Sequence, residues 1–283
     1  MVLDLKSEAG VAAVRHMVRG ADVLVQNMRP GAMERLGLGY EELSGLNPSL
    51  IYCSISGYGT TGPYRDKPGF DLVAQGVSGL MSLTGHTGGP PTRLGVPMVD
   101  LNAGFYAAHG VLCAHISRLK TGMGQHVDAS LLEAGISYTI WESAIFFATG
   151  TPPGPVGSGH PLAVPYQAFA TRDGHVIVGS ANQSNWERLC RAIDRRELLD
   201  DPRFANNPGR KENLEPLVKT LQTTFGSRDT AHWLGVLDEA GVPCGPINDL
   251  AAAYDHPQLK ARKMVVELDH PSAGVTRHID VSV

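Results

Sequence analysis

Residues 21–55 read ADVLVQNMRPGAMERLGLGYEELSGLNPSLIYCSI, with an apolar run at either end. Ala21-Asp22-Val23-Leu24-Val25-Gln26 and Leu50-Ile51-Tyr52-Cys53-Ser54-Ile55 carry apolar and β-branched residues with little polar alternation, the pattern of strands covered on both faces. Between them, the turn at Arg29-Pro30-Gly31 precedes a short helical run, AMERLGL, and Tyr40 to Leu46 reads as a further helix closed by Asn47-Pro48. Upstream, Ser7 as N-cap and Glu8 in the first turn predict a helix through Arg19. Apolar strands spaced by helices pair in parallel, so the expected fold class is α/β with an open, Rossmann-like sheet.

Downstream, the longest apolar helix candidate, LNAGFYAAHGVLCAHISRL, begins just after Asp100 and stops at Lys120-Thr121-Gly122. A strand over Gln125 to Ala129 and a helical pattern from Ser130 to Thr149 follow. TPPGPVGSGHP then places seven Gly and Pro residues in eleven, a loop by composition. Beyond it, Tyr166 to Thr171 and His175 to Gly179 flank Arg172-Asp173-Gly174, the chemistry of a hairpin turn. Helical spacing dominates Asn185 to Ile193, Asn213 to Phe225 and Asp229 to Ala240. The expected organisation is a large domain over 1–150, a linker and loop over 151–165, a smaller α+β domain over 166–250 and a return linker over 251–283, where VVELDHPSAGVTRHIDVSV reads as strands.

With 24 Lys and Arg against 28 Asp and Glu, the 283 residues carry a net charge of −4 and no basic run, so nucleic acid is not an expected partner. No apolar stretch approaches the roughly 18 residues of a membrane span. The first residues lack a basic segment followed by an apolar one, and the expected compartment is the cytoplasm. The four cysteines, Cys53, Cys113, Cys190 and Cys244, stand far apart, and the eleven histidines form no ligand pattern; no metal is expected. Gly57-Tyr58-Gly59-Thr60-Thr61-Gly62 matches a dinucleotide-binding fingerprint in letters only. That fingerprint needs a helix opening at once, whereas Pro63 to Gly69 continue a loop.

Asp100 lies at the seam between Val96-Pro97-Met98-Val99 and the long helix. One reading makes it the N-cap of that helix. The other makes it a nucleophile, held ionised and oriented by the positive end of the helix. Both stay open on spacing alone.

Four strings resemble a known family: ADVLVQNMRPGAMERLGLGYEEL, SLIYCSISGYGTTGPYRDKPGFDLVAQGVSGLMSLTG, GVPMVDLNAGFYAAHGVLCAHISRLKTGMGQHVDASLLEA and GSGHPLAVPYQAFATRDGHVIVGSANQSNWERLC. They are similar to the class III CoA-transferases, which include formyl-CoA:oxalate and succinyl-CoA:dicarboxylate transferases, and the likeness runs over nearly the whole chain. It implies a CoA-binding Rossmann-like large domain, a small α+β domain and an interlocked homodimer. It also implies a coenzyme A thioester as substrate, no permanently bound cofactor, and a small carboxylic acid as the other partner. The family's catalytic aspartate falls on Asp100, whose carboxylate would form an aspartyl mixed anhydride and then an aspartyl-CoA thioester. Asn27 and Arg35 fall on CoA-contacting positions. Read from the residues alone, Asn27 serves equally as a turn cap, and Arg35 as a partner of Glu34 or Glu41. Gly157, Gly159 and His160 match the loop that closes over the active site, though the same residues suit a plain linker.

The related α-methylacyl-CoA racemases use a histidine in a Gly-His-Asp string to move the α-proton. Here the string is Gly69-Phe70-Asp71, which favours transfer, with His86 the alternative base. The loop GSGHPLAVPYQAF resembles the succinyl-CoA-using members, so small dicarboxylates are the expected acids. Arg65, Lys67 and Arg93 suit a second carboxylate, or are solvated surface charges. By the same resemblance Met1 to Lys6 correspond to the middle of the large domain, so the family's opening strand and helix and its C-terminal return are expected to be lacking. A racemase, or a catalytically silent binding fragment, is the rival reading.

Overall fold

The computed structural model describes residues 2–280. They divide into two compact units, Met1–Gly157 and Ser158–Val283.

The first unit opens with α1 (Glu8–Val18), whose N-cap Ser7 accepts from the Gly10 amide. There follow β1 (Val23–Gln26), α2 (Ala32–Arg35), α3 (Tyr40–Leu46) and β2 (Ile51–Ser56), then α4 (Asp71–Val77), α5 (Leu80–Leu83) and α6 (Met98–Thr121). β3 (His126–Ser130), α7 (Leu131–Ile136) and α8 (Ile140–Thr149) complete it. The three strands form a parallel sheet in the order β1-β2-β3, with Val23 opposite Ile51 and Tyr52 opposite His126. This is the α/β class with a parallel sheet expected from the strand spacing. The central strand is buried from Ile51 to Ser54, which is why its run lacks polar alternation.

One face of the sheet packs on Val18, Met33, Leu38 and Leu43, with Leu50 and Tyr52 in the same cluster. Cys53, Ala107 and Ala129 form another cluster where α6 meets the sheet, and Val99, Ala103, Leu131 and Ala134 continue apolar packing along α6 and α7. A polar line crosses all three strands: Gln26 Nε2 donates to Ser54 Oγ at 3.0 Å, which meets His126 Nε2 at 2.9 Å. Tyr40 stacks on the His126 ring at 5.1 Å. At the other end of the strands Asn47 uses its whole amide: Nδ2 donates to the Val18 and Ala21 carbonyls, and Oδ1 accepts from the Ser49 amide and hydroxyl. Arg118, near the end of α6, reaches the Asp22 carboxylate at 2.9 Å and the Asp22 and Ser49 carbonyls.

The second unit contains β4 (Tyr166–Ala170), β5 (His175–Gly179), α9 (Gln183–Ala192), α10 (Glu197–Asp200), α11 (Asn207–Glu212), α12 (Leu214–Phe225), α13 (Thr230–Glu239) and β6 (Cys244–Pro246). Its antiparallel sheet, in the order β4-β5-β6, packs on Trp186, Leu189, Leu217, Leu221 and Leu237. Phe225 stacks on Phe169 at 4.9 Å and meets Trp233 edge-on at 5.1 Å. The stretch 251–283 contains most of α14 (Leu250–Asp255), α15 (Pro257–Ala261) and an antiparallel hairpin of β7 (Val265–His270) and β8 (Gly274–Ile279), the strands expected of its tail. Residues 281 to 283 of that stretch lie outside the described residues. Among the described residues no helix is long and apolar enough to cross a membrane.

Because Asn47 is buried and fully paired, Asn47→Ala leaves two backbone carbonyls without their donor. The expected loss is about 2 kcal/mol of stability, read from the urea midpoint at unchanged slope.

Candidate active site

Helix α6 starts under an unusual constraint. Pro97 occupies its N-cap position and provides no side-chain cap, while the amides of the first turn need acceptors. The acceptor comes from another helix: Asp71, the first residue of α4, takes the Val99 amide at 3.0 Å and the Asp100 amide at 3.3 Å on the single oxygen Oδ1. The cap role open to Asp100 in the sequence is therefore filled by Asp71. Asp100 is the third residue of α6, the helix beginning three residues earlier than its apolar pattern indicates, with the Leu101 amide bonding back to the Pro97 carbonyl at 3.1 Å.

The Asp100 residue is exposed and its carboxyl is pushed above the usual aspartate range, first by desolvation and then by the Asp71 charge. The positive end of α6 opposes both effects without cancelling them. A carboxylate in this state is more basic than a free aspartate, hence a better nucleophile once ionised.

Gly57 and Gly69 let the loop after β2 double back on itself: a Cβ at Gly57 would lie 2.7 Å from Gly69 Cα. The loop is pinned further by Ser56 Oγ, which accepts from the Gly59 amide, and by Asp128, which accepts from the Thr60 amide at 2.8 Å and its hydroxyl at 2.6 Å. No helix opens within 57–62, as a dinucleotide fingerprint would require. A hollow of about 300 Å³ lies beyond the carboxyl ends of β1 and β2, where open α/β sheets bind ligands. Its lining includes Gln26, Arg29, Glu34, Ser54, Arg65 and Asp66. Arg65 also pairs with Asp66 at 3.5 Å, and Lys67 lies over the Tyr64 ring.

Asn27 follows β1 and donates to the Ile55 carbonyl at 2.7 Å, tying neighbouring strand ends together. Arg35 folds back over Gly31 and forms no ion pair among the described residues, so the pairing with Glu34 or Glu41 is not made. Gly157 sits at φ 65°, donates to the Gly85 carbonyl at 2.9 Å, and leaves only 3.2 Å between its missing Cβ and His86 Nδ1. His86 thus lies against the root of the glycine loop. Gly159 and His160 belong to the second unit, where His160 stacks on Tyr166 and its Nδ1 accepts from the Leu162 and Ala163 amides.

The structure joins Asp100 to Asp71, which the sequence offered only as the last letter of Gly69-Phe70-Asp71. It also adds Gln75, wholly buried one helical turn on, whose Nε2 donates to Asp71 Oδ2 at 2.6 Å. The four-residue spacing of Asp71 and Gln75 was the available signal.

The family description CoA-transferase family III matches residues 1–282. The chain belongs to that family. It is 36% identical to human succinyl-CoA:glutarate CoA-transferase over 274 residues, 97% of this chain and 63% of that protein. It is 40% identical to the acetyl-CoA:oxalate CoA-transferase of Acetobacter aceti over 268 residues, 94% of this chain and 69% of that one. A crystal structure of a CAIB/BAIF family protein from Brucella suis superposes with a TM-score of 0.83 at 34% identity, covering 97% of this chain and 75% of that one. The chain spans 62% and 63% of the length of two of its curated relatives, a fungal acyl-CoA transferase from Fusarium pseudograminearum and the human protein.

The like charge of Asp71 has a measurable consequence for a member of this family. In a carbon-detected NMR titration, Asp100 is expected to ionise above the free aspartate range. Asp71→Asn removes the like charge and moves that midpoint down, leaving the part due to desolvation.

Proposed function

We propose that this chain carries the catalytic core of a CoA-transferase that moves CoA from an acyl-CoA to a free carboxylic acid, with Asp100 as nucleophile. The observation that carries the reading is an exposed, unusually basic carboxylate in the first turn of a long helix, left free because Asp71 supplies the cap. An Asp100 oxygen attacks the thioester carbonyl, the C–S bond breaks, and CoA leaves as thiolate, giving an acyl-aspartyl anhydride. The thiolate then attacks the aspartyl carbonyl, releasing the first acid and leaving an aspartyl-CoA thioester. The acceptor carboxylate attacks that thioester to form a second anhydride, expelling CoA thiolate again. Attack of this thiolate on the acceptor's acyl carbon yields the new acyl-CoA and restores Asp100. Each step conserves the thioester's energy, and a water-excluding site prevents its loss by hydrolysis.

In the wall of the hollow at the ends of β1 and β2, Arg29 and Arg65, which stand beside Glu34 and Asp66, are the cations assigned to the phosphates of CoA. Arg35, without an ion pair among the described residues, is assigned to the same ligand, and Asn27 contacts it through the oxygen it does not need for the strand ends. Gly157, Gly159 and His160 are assigned the shielding-loop role that the family resemblance implies. Small dicarboxylates are the proposed acids: glutarate and oxalate appear in the names of the two relatives. Leu101, Phe105, Leu112 and Ile116, exposed along α6, support a homodimer. Phe70, 75% exposed before α4, cannot carry a proton and speaks against racemisation.

The test follows CoA from succinyl-CoA to labelled glutarate in D2O. Transfer without α-deuterium is expected, with Asp100→Ala lowering kcat by at least roughly 10³-fold. Deuterium at the α-carbon without transfer would contradict the proposal.

A further inference from the structure

Asp71 touches Asp100, and two roles are open to it: a proton carrier for the reaction, or a fixed support. Gln75 decides between them. Its side chain is buried at 0% exposure, and its amide orientation is set by a group that only donates: the Leu94 amide meets Oε1 at 2.9 Å. Nε2 must then face Asp71, and it lies 2.6 Å from Oδ2. The other oxygen, Oδ1, receives the Val99 and Asp100 amides. Each of these three contacts presents a donor to the carboxylate, filling three of its roughly four acceptor positions, so in this arrangement Asp71 serves as an acceptor. The line Leu94, Gln75, Asp71, Asp100 runs through three segments, a loop, α4 and α6, and ends at the proposed nucleophile.

We propose that Gln75 is a positioning residue: its amide holds Asp71 as an acceptor-only carboxylate that caps α6 and aims Asp100, and Asp71 carries no proton in the reaction. The inference rests on the transfer reading, with Asp100 as the catalytic residue.

A side-chain swap tests it. In Asp71→Asn, the new side-chain amide faces Gln75 Nε2, donor against donor; turning Gln75 around would only set its Nε2 against the Leu94 amide. In Gln75→Glu two carboxylates face each other. In the double variant D71N/Q75E, the asparagine introduced at position 71 donates to the new carboxylate at position 75, whose second oxygen accepts from Leu94. The carbonyl oxygen of that asparagine still takes the two α6 amides. Each donor is paired again, at unchanged net charge.

With succinyl-CoA and glutarate, each single variant is expected to lose roughly 10²-fold in kcat, with KM for succinyl-CoA moving much less. The double variant is expected to recover most of that loss. A proton carrier at position 71 predicts the opposite, since asparagine cannot serve, so a folded double variant as slow as Asp71→Asn overturns the proposal. Should the double variant not fold, Asp71→Asn is compared with the similarly shaped Asp71→Leu. Asparagine keeps an acceptor for the α6 amides and is expected to retain at least about tenfold more kcat; equal losses overturn the proposal. If the unaltered protein transfers no CoA, the transfer reading has failed; if it transfers and the swap fails, only this inference has.

Discussion

Pro97 deprives α6 of a side-chain cap of its own, and the Asp71 carboxylate answers that need from a helix 26 residues earlier in the chain. This one interaction settles several matters together. It fixes where α6 begins, joins α4 to α6, and releases the Asp100 side chain from capping. It also places a negative charge close enough to help raise the Asp100 carboxyl. At the other end of α6, Arg118 grips Asp22 and Ser49 at the start of β1 and beside β2. The helix that carries Asp100 is therefore held at both ends by polar contacts, with small residues such as Ala103 and Ala107 packed along it.

The parallel sheet does the complementary work. Its strands direct their carboxyl ends at one hollow, and short side-chain links keep those ends in register: Asn27 to Ile55, Gln26 to Ser54, Asp128 to Thr60. The glycine loop that follows β2 is thus a fixed wall rather than a phosphate-gripping turn. Charge in the hollow comes from Arg29, Arg65 and Asp66 on loops and from Glu34 on α2.

Much of this was legible in the sequence. The strands over 21–26 and 50–55, the helix at Tyr40–Leu46 and the hairpin around Arg172-Asp173-Gly174 follow from apolar runs and turn chemistry, and the structure contains them. Asp100 drew attention through its place before an apolar helix and through the family resemblance. What the sequence hid was long-range. DLVAQGVSGLMSL, which folds into α4 and α5, is interrupted by glycines and lacks a clean helical period, so it announced neither helix nor partner. The Asp71 contact spans 28 and 29 residues, beyond any local pattern, and it overrode the ordinary preference of an aspartate for the cap beside it. The tail VVELDHPSAGVTRHIDVSV reads as strands, and Val265–His270 and Gly274–Ile279 form them; their pairing into a hairpin is what the pattern left open.

The central claim is that the free carboxylate of Asp100 takes up the acyl group or CoA covalently. Intact-mass measurement after incubation with succinyl-CoA, quenched with hydroxylamine or borohydride, addresses it most directly. The account predicts a mass change confined to protein with Asp100, mapping to the peptide around residue 100 and lost in Asp100→Ala. A folded protein that turns over CoA yet shows no adduct, or carries the same adduct after Asp100→Ala, would contradict it.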